Sequence, residues 1–227
     1  MTRVLFIFAF APALTRADSL NDVLQRIDQS AVKFRSMSAN FKLTEYTDLF
    51  QETTVQEGTF KMLKSGKDKY ALLADFTGRD PHTFHASGHQ AEMYYPKANT
   101  EEIYDTRKFA KAIDQYLFVG FGTSAAELKK TYNVTLGGPE TVDGLKTTRI
   151  DLTPISQEAK TLFDQIQLWI PDGKGNPIQE KMISGKAGKD YKLFKYDNLK
   201  IISISDPAPS PADFELKVPA GVRRVGK

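Results

Sequence analysis

The chain has 227 residues, with 31 basic against 28 acidic side chains and no cysteine. The missing thiols exclude a disulfide framework, a thiolate metal site, a cysteine nucleophile and a lipid-modified N-terminal cysteine. Charges of both signs are evenly mixed, without the lysine and arginine clusters of a nucleic-acid surface, so nucleic acid is not an expected partner.

Met1-Thr2-Arg3 carries a positive charge, Val4 to Leu14 is an apolar run interrupted by Pro12, and Thr15-Arg16-Ala17 offers small residues to a signal peptidase. That order predicts a secretory signal over residues 1–17, cleaved near Ala17, whose apolar run is too short to span a bilayer. The remaining chain, 18–227, is long enough for a single domain with a sizeable core.

Ser19 is placed to cap a helix, with Asp22 completing a capping-box-like pair. Leu20, Val23, Leu24, Ile27, Ala31 and Phe34 then recur at helical spacing and give one apolar stripe. From Ser38 the period changes to two, with Phe41 and Leu43 on one face. Thr54 to Lys64 reads as a second strand carrying Phe60 and Met62, and Gly66-Lys67-Asp68 as a turn. Tyr70, Leu72, Ala74 and Phe76 alternate in a third strand. Gly78-Arg79-Asp80-Pro81 breaks the pattern. Short strands follow at Thr83 to Ala86, Ala91 to Tyr95 and Glu102 to Asp105.

Arg107 to Phe118 reads as a helix, Gly120-Phe121-Gly122 interrupts it, and Thr123 is a candidate cap for a short helix through Lys130. Strands return at Tyr132 to Leu136, Leu145 to Leu152, Gln165 to Ile170, Ile178 to Ser184 and Tyr191 to Ile204, with a helical turn or two in Ser156 to Phe163. Pro207, Pro209 and Pro211 stiffen the approach to Phe214. Strand after strand with short turns means antiparallel pairing, and no βαβ alternation suggests a parallel sheet. The expected class is α+β, mainly β. Its architecture is a single curved antiparallel sheet of about ten strands, forming a half-open barrel covered by short amphipathic helices as a lid.

The order of several short motifs resembles the LolA family of periplasmic lipoprotein carriers, with its LolB-like relatives. They are the helix Leu20 to Phe34 leading into Ser38-Ala39-Asn40-Phe41, then Val55-Gln56-Glu57-Gly58 before Thr59-Phe60-Lys61-Met62. Gly88 leading to Met93-Tyr94-Tyr95-Pro96 follows, and Phe214 with Pro219-Ala220-Gly221-Val222 closes the chain. The resemblance covers nearly all of residues 18–227 and implies a periplasmic carrier without enzymatic activity or cofactor. Such a carrier shelters lipoprotein acyl chains, or those of another lipid, between an inner-membrane donor and an outer-membrane acceptor. The expected state is a monomer. The sheet residues expected to line the cavity are Phe41, Leu43, Phe60, Met62, Leu72, Phe76, Met93 and Tyr95; the lid residues are Leu24, Ile27, Leu117, Phe118 and Phe121. Where the family places an arginine that holds the lid closed, this chain has Lys64, a lid-latch candidate without arginine's planar fork.

Rival readings are weaker. His82, His85 and His89 lie within eight positions and are the candidate ligands of a metal-dependent enzyme, but the strand pattern puts His82 and His85 on opposite faces, and no metal is expected. Glu101 and Glu102 are a nominal carboxylate pair for a hydrolase. No nucleophile elbow, phosphate loop or dinucleotide fingerprint is present. Carriage or sensing of a phospholipid or glycolipid is the main alternative to lipoprotein carriage. Trp169, the only tryptophan, reads as core.

Overall fold

A computed structural model describes residues 18–66, 69–107, 119–185 and 188–226. The expected signal over residues 1–17 and nearly all of the helix expected over Arg107 to Phe118 lie outside them.

Helix α1 (Leu20–Lys33) starts with a full capping box: the Ser19 hydroxyl accepts from the Asp22 N–H, and the Asp22 carboxylate accepts from the Ser19 N–H at 3.0 Å. It buries Val23, Leu24 and Ile27. The helix passes into strand β1 (Phe34–Thr47) without a loop, Phe34 already being extended at φ −68° and ψ 127°. Strand therefore begins at Phe34 rather than at Ser38. A single apolar residue at a junction satisfies either period, and here its ring belongs to the sheet.

Strand β1 forms a long hairpin with β2 (Glu52–Gly66). A meander of β3 (Lys69–Thr77), β4 (His82–Ser87), β5 (Gln90–Tyr95) and β6 (Thr100–Asp105) extends it. After residues 119–122 comes helix α2 (Ala125–Thr131), capped by Ser124 and not by Thr123, because Ser124 has its Glu127 partner three residues on. Next are β7 (Tyr132–Val142), β8 (Leu145–Pro154), the one-turn helix α3 (Gln157–Lys160), β9 (Gln165–Pro171), β10 (Gln179–Ser184) and β11 (Asp190–Ser203). Strand β7 outruns its expected end at Leu136, since the register shift between Leu136 and Gly138 absorbs the glycines as a bulge.

All these strands join one sheet in the order β12-β6-β5-β4-β3-β2-β1-β11-β10-β9-β8-β7, where β12 is Arg223–Gly226. The described residues form twelve strands rather than about ten. Antiparallel pairing of β1 with β11 welds the two meanders together. The half-open barrel expected from the sequence is the architecture observed: a curved sheet with β12 and β7 as its two free edges. One pairing departs from the antiparallel expectation, β12 lying parallel to β6. The chain reaches that edge by way of a 3-10 turn (Pro211–Phe214) packed against β2 and β3, with Phe214 buried.

Candidate ligand-binding face

Strand alternation sorts the apolar residues into two clusters. The first combines Val23, Leu24 and Ile27 of α1 with Leu128 of α2 and Ile150, Leu152, Ile166, Leu168, Ile170 and Met182 of β8–β10. It is a filled core, in which α1 lies on the late-chain half of the sheet. The second combines Met37, Phe41 and Leu43 of β1 with Met62, Leu72, Ala74, Ala86 and Ala91 of β2–β5 and with Phe121. Phe60, Tyr70, Phe76, Phe84 and Tyr104 pack against this cluster while remaining only partly buried.

The expected lining residues divide accordingly. Phe41, Leu43, Met62, Leu72 and Phe121 share the second cluster, with Phe60 and Phe76 at its margin. Met93 is half-buried opposite Phe84, and Tyr95 is half-buried with its ring 5.9 Å from that of His82. Leu24 and Ile27 belong to the first cluster, not to the face that carries Phe41. Leu117 and Phe118 lie outside the described residues.

Aromatic rings form a continuous path across this face. His82 stacks on Phe76 at 4.2 Å, Phe76 meets Phe41 edge-on at 5.0 Å, Phe41 approaches Phe194 at 6.1 Å, and Phe194 stacks on Tyr196 at 6.3 Å. The path crosses β2 at Gly58, which pairs with Phe41 on one side and Phe76 on the other. A Cβ at Gly58 would stand 2.9 Å from the Phe41 ring and 1.9 Å from the Asp75 carbonyl oxygen. The glycine is what lets the two rings meet over the strand.

Residues 119–122 lie on the seam between the clusters. Val119 joins the first and Phe121 the second, with Phe121 edge-on to Tyr196 at 5.4 Å. Gly120, at φ +87°, sits where a Cβ would press on Pro177 and Leu168, and Gly122, at φ +67°, where one would press on Phe34. Lys64 donates from Nζ to the Gly122 carbonyl at 2.7 Å, with the ammonium 5.5 Å from the centre of the Tyr70 ring. The latch candidate thus ties β2 to the segment that carries Phe121.

Sequence reasoning missed Glu180. Its inward place follows from β10 alternation, since Met182 two residues on belongs to the first cluster. It pairs with Leu168 on β9 and Phe194 on β11 and is buried. Burial pushes its carboxyl up to about 8, opposed in part by a 3.5 Å hydrogen bond that the Tyr196 hydroxyl donates to it. The same burial, with the carboxyl beside it, raises the Tyr196 phenol far above its usual range, and Tyr132 is shifted the same way for the same two reasons.

The histidines do not converge. His82 faces inward in the aromatic path, whereas His85 pairs outward with Glu92 at 2.6 Å. Among the described residues no group of three His, Cys, Asp or Glu is placed to hold a metal ion. Glu101 and Glu102 are adjacent in β6 and point to opposite faces, Glu101 being buried against Arg224 at 2.7 Å. Trp169 is buried but outside both inner clusters, and its indole donates to Glu140 at 2.6 Å.

No protein-family model matches this sequence, and no curated protein matches it significantly. Among solved structures, an uncharacterised conserved protein from Thermus thermophilus superposes with a TM-score of 0.53 at 12% identity, over 92% of this chain and 100% of that one. MucB gives 0.48 at 14% identity, over 87% of this chain and 62% of its own. A LolA superfamily protein from Nitrosomonas europaea gives 0.38 at 11% identity, over 88% and 99%. These are likenesses of fold, carried by the first. The class of molecule is therefore that protein's fold, a single curved sheet with an inner apolar face.

Proposed function

We propose that this chain is an exported, non-enzymatic carrier that shelters acyl chains on the inner face of its early-chain half-sheet. The observation that carries the reading is the run of large apolar side chains there, Phe60, Phe76, Phe84 and Tyr104, which are only partly buried although they adjoin a close-packed cluster. Each methylene taken out of water contributes about 0.8 kcal/mol, so one acyl chain carries on the order of 10 kcal/mol of exposure cost. An apolar concavity offsets that cost without any reacting group. The finer form of the proposal is carriage of lipoproteins through a periplasm, from an inner-membrane donor to an outer-membrane acceptor. The signal-like residues 1–17 and the ordered resemblance to lipoprotein carriers support it.

Native mass spectrometry of the protein gently isolated from a periplasm tests both levels. A mass increment matching an acylated protein is the expected result, and Phe60→Glu should remove it while leaving the fold intact by circular dichroism. An increment matching a phospholipid or glycolipid keeps the carrier and replaces its cargo. A bare mass together with no binding of an apolar dye overturns the carrier.

A further inference from the structure

Glu180 is an unusual wall residue for an apolar cavity. It lies where the two clusters meet, between Leu168 and Phe194 in the sheet register, and Phe194 packs against both clusters. Buried carboxyls are normally satisfied by close hydrogen bonds or paired with a cation. Here the partner among the described residues is the Tyr196 hydroxyl at 3.5 Å, well beyond the 2.5–3.0 Å of a good O–H···O bond. Among the described residues, the titratable groups that face the carboxyl are Tyr196 from β11 and Tyr132 from the start of β7, both phenols. With its proton kept on by burial, Glu180 presents an O–H, while Tyr196 donates its own to the carboxyl.

A carboxyl O–H set in an apolar wall, with a phenol beside it to orient it, suits one acceptor oxygen that arrives attached to a hydrocarbon chain. We infer that Glu180 and Tyr196 form the polar end of the acyl-binding face and hold the carbonyl oxygen of an ester- or amide-linked acyl chain. The inference rests on the carrier reading above and deepens it by naming the atom that is recognised. Phe121 stands edge-on to Tyr196, and Gly120 passes against Leu168, the register partner of Glu180. Residues 119–122 therefore border the pair, with the Phe121 ring against that of Tyr196. A ligand bound in this way is anchored in register: the polar junction is fixed at β10–β11 and the hydrocarbon extends along the aromatic path towards Phe76.

The test compares three probes of equal chain length by displacement of an apolar fluorescent dye from the purified chain: a monoacylglycerol, its 1-O-alkyl ether and the matching N-acyl amide. The wild type should bind the ester and the amide about tenfold more tightly than the ether, the worth of a hydrogen bond made in a dry site. Glu180→Leu should bring the three affinities together. Glu180→Gln, which retains an N–H donor, should keep most of the preference, and Tyr196→Phe should lose part of it. An ester preference without an amide preference, or the reverse, narrows the source of the carbonyl to a glyceride or an N-acylated terminus. Equal affinities in the wild type, or an unchanged preference in Glu180→Leu, overturn the inference and leave the carrier standing. Failure of the wild type to bind any of the probes overturns the carrier itself, and the inference with it.

Discussion

Phe41 and Gly58 face each other across the β1–β2 ladder, and the ring lies over the strand because the glycine has no side chain. Gly58→Ala should destabilise the protein by about 2–3 kcal/mol, because the added Cβ collides with the rigid Asp75 carbonyl and not with a flexible tip. Thermal unfolding should then shift down by about 5–10 °C, and an unchanged midpoint would refute the aromatic crossing. Glu180 makes a second prediction at this scale. Its folded-state carboxyl holds the proton up to about 8, against an ordinary value of 4.5. The folded state binds the extra proton, so this group's stabilising contribution is complete below about 4.5 and is lost as pH rises through about 8. The melting temperature of the wild type should fall relative to Glu180→Gln across that window. A difference that is flat with pH would mean that the carboxyl ionises normally. Glu180 was legible in the sequence only through its alternation with Met182. A lone glutamate in a strand ordinarily marks the solvent face, and nothing local distinguishes one that turns inward.

Residues 119–122 are held by contacts from several elements rather than by any structure of their own. Lys64 reaches them from β2, Phe34 from the head of β1, Tyr196 from β11 and Leu168 from β9. The Lys64 bond is charge-assisted, so removing it by Lys64→Met should cost about 1.5–3 kcal/mol locally. Amide exchange at Phe121 and Gly122 should quicken by an order of magnitude or more, with the β7–β10 core unaffected. Exchange as slow as in the wild type would show that packing alone holds the segment. The helices were readable from their caps, Ser19–Asp22 and Ser124–Glu127, because a capping box is written within four residues. Where α1 docks was not readable. The stripe of Val23, Leu24 and Ile27 fits any apolar surface, and burial against β8–β10 is a choice among equals at the sequence level.

At the scale of the molecule, the two half-sheets have different fates. The late-chain half is closed over by α1 and α2 and behaves as an ordinary core, while the early-chain half keeps large side chains partly exposed. The carrier proposal belongs to the second. The sheet as a whole stays open because its edges, β7 and β12, do not pair with each other. Strand β12 was missed because Arg223 to Gly226 has no alternation of its own; it is a strand by virtue of β6 beside it and of Arg224 reaching the buried Glu101. Alternation at Phe41–Leu43, Phe60–Met62 and Tyr70–Phe76 determined which residues turn inward, since the pleat repeats every two residues wherever the strand lies. The caps determined where helices begin for the same local reason. Tertiary structure alone decided that β1 pairs with β11, that Leu24 and Ile27 pack away from Phe41, and that Glu180 meets Tyr196 under Phe121. Those are contacts between segments far apart in the chain, and their energies depend on which surfaces are brought together, which no local pattern encodes.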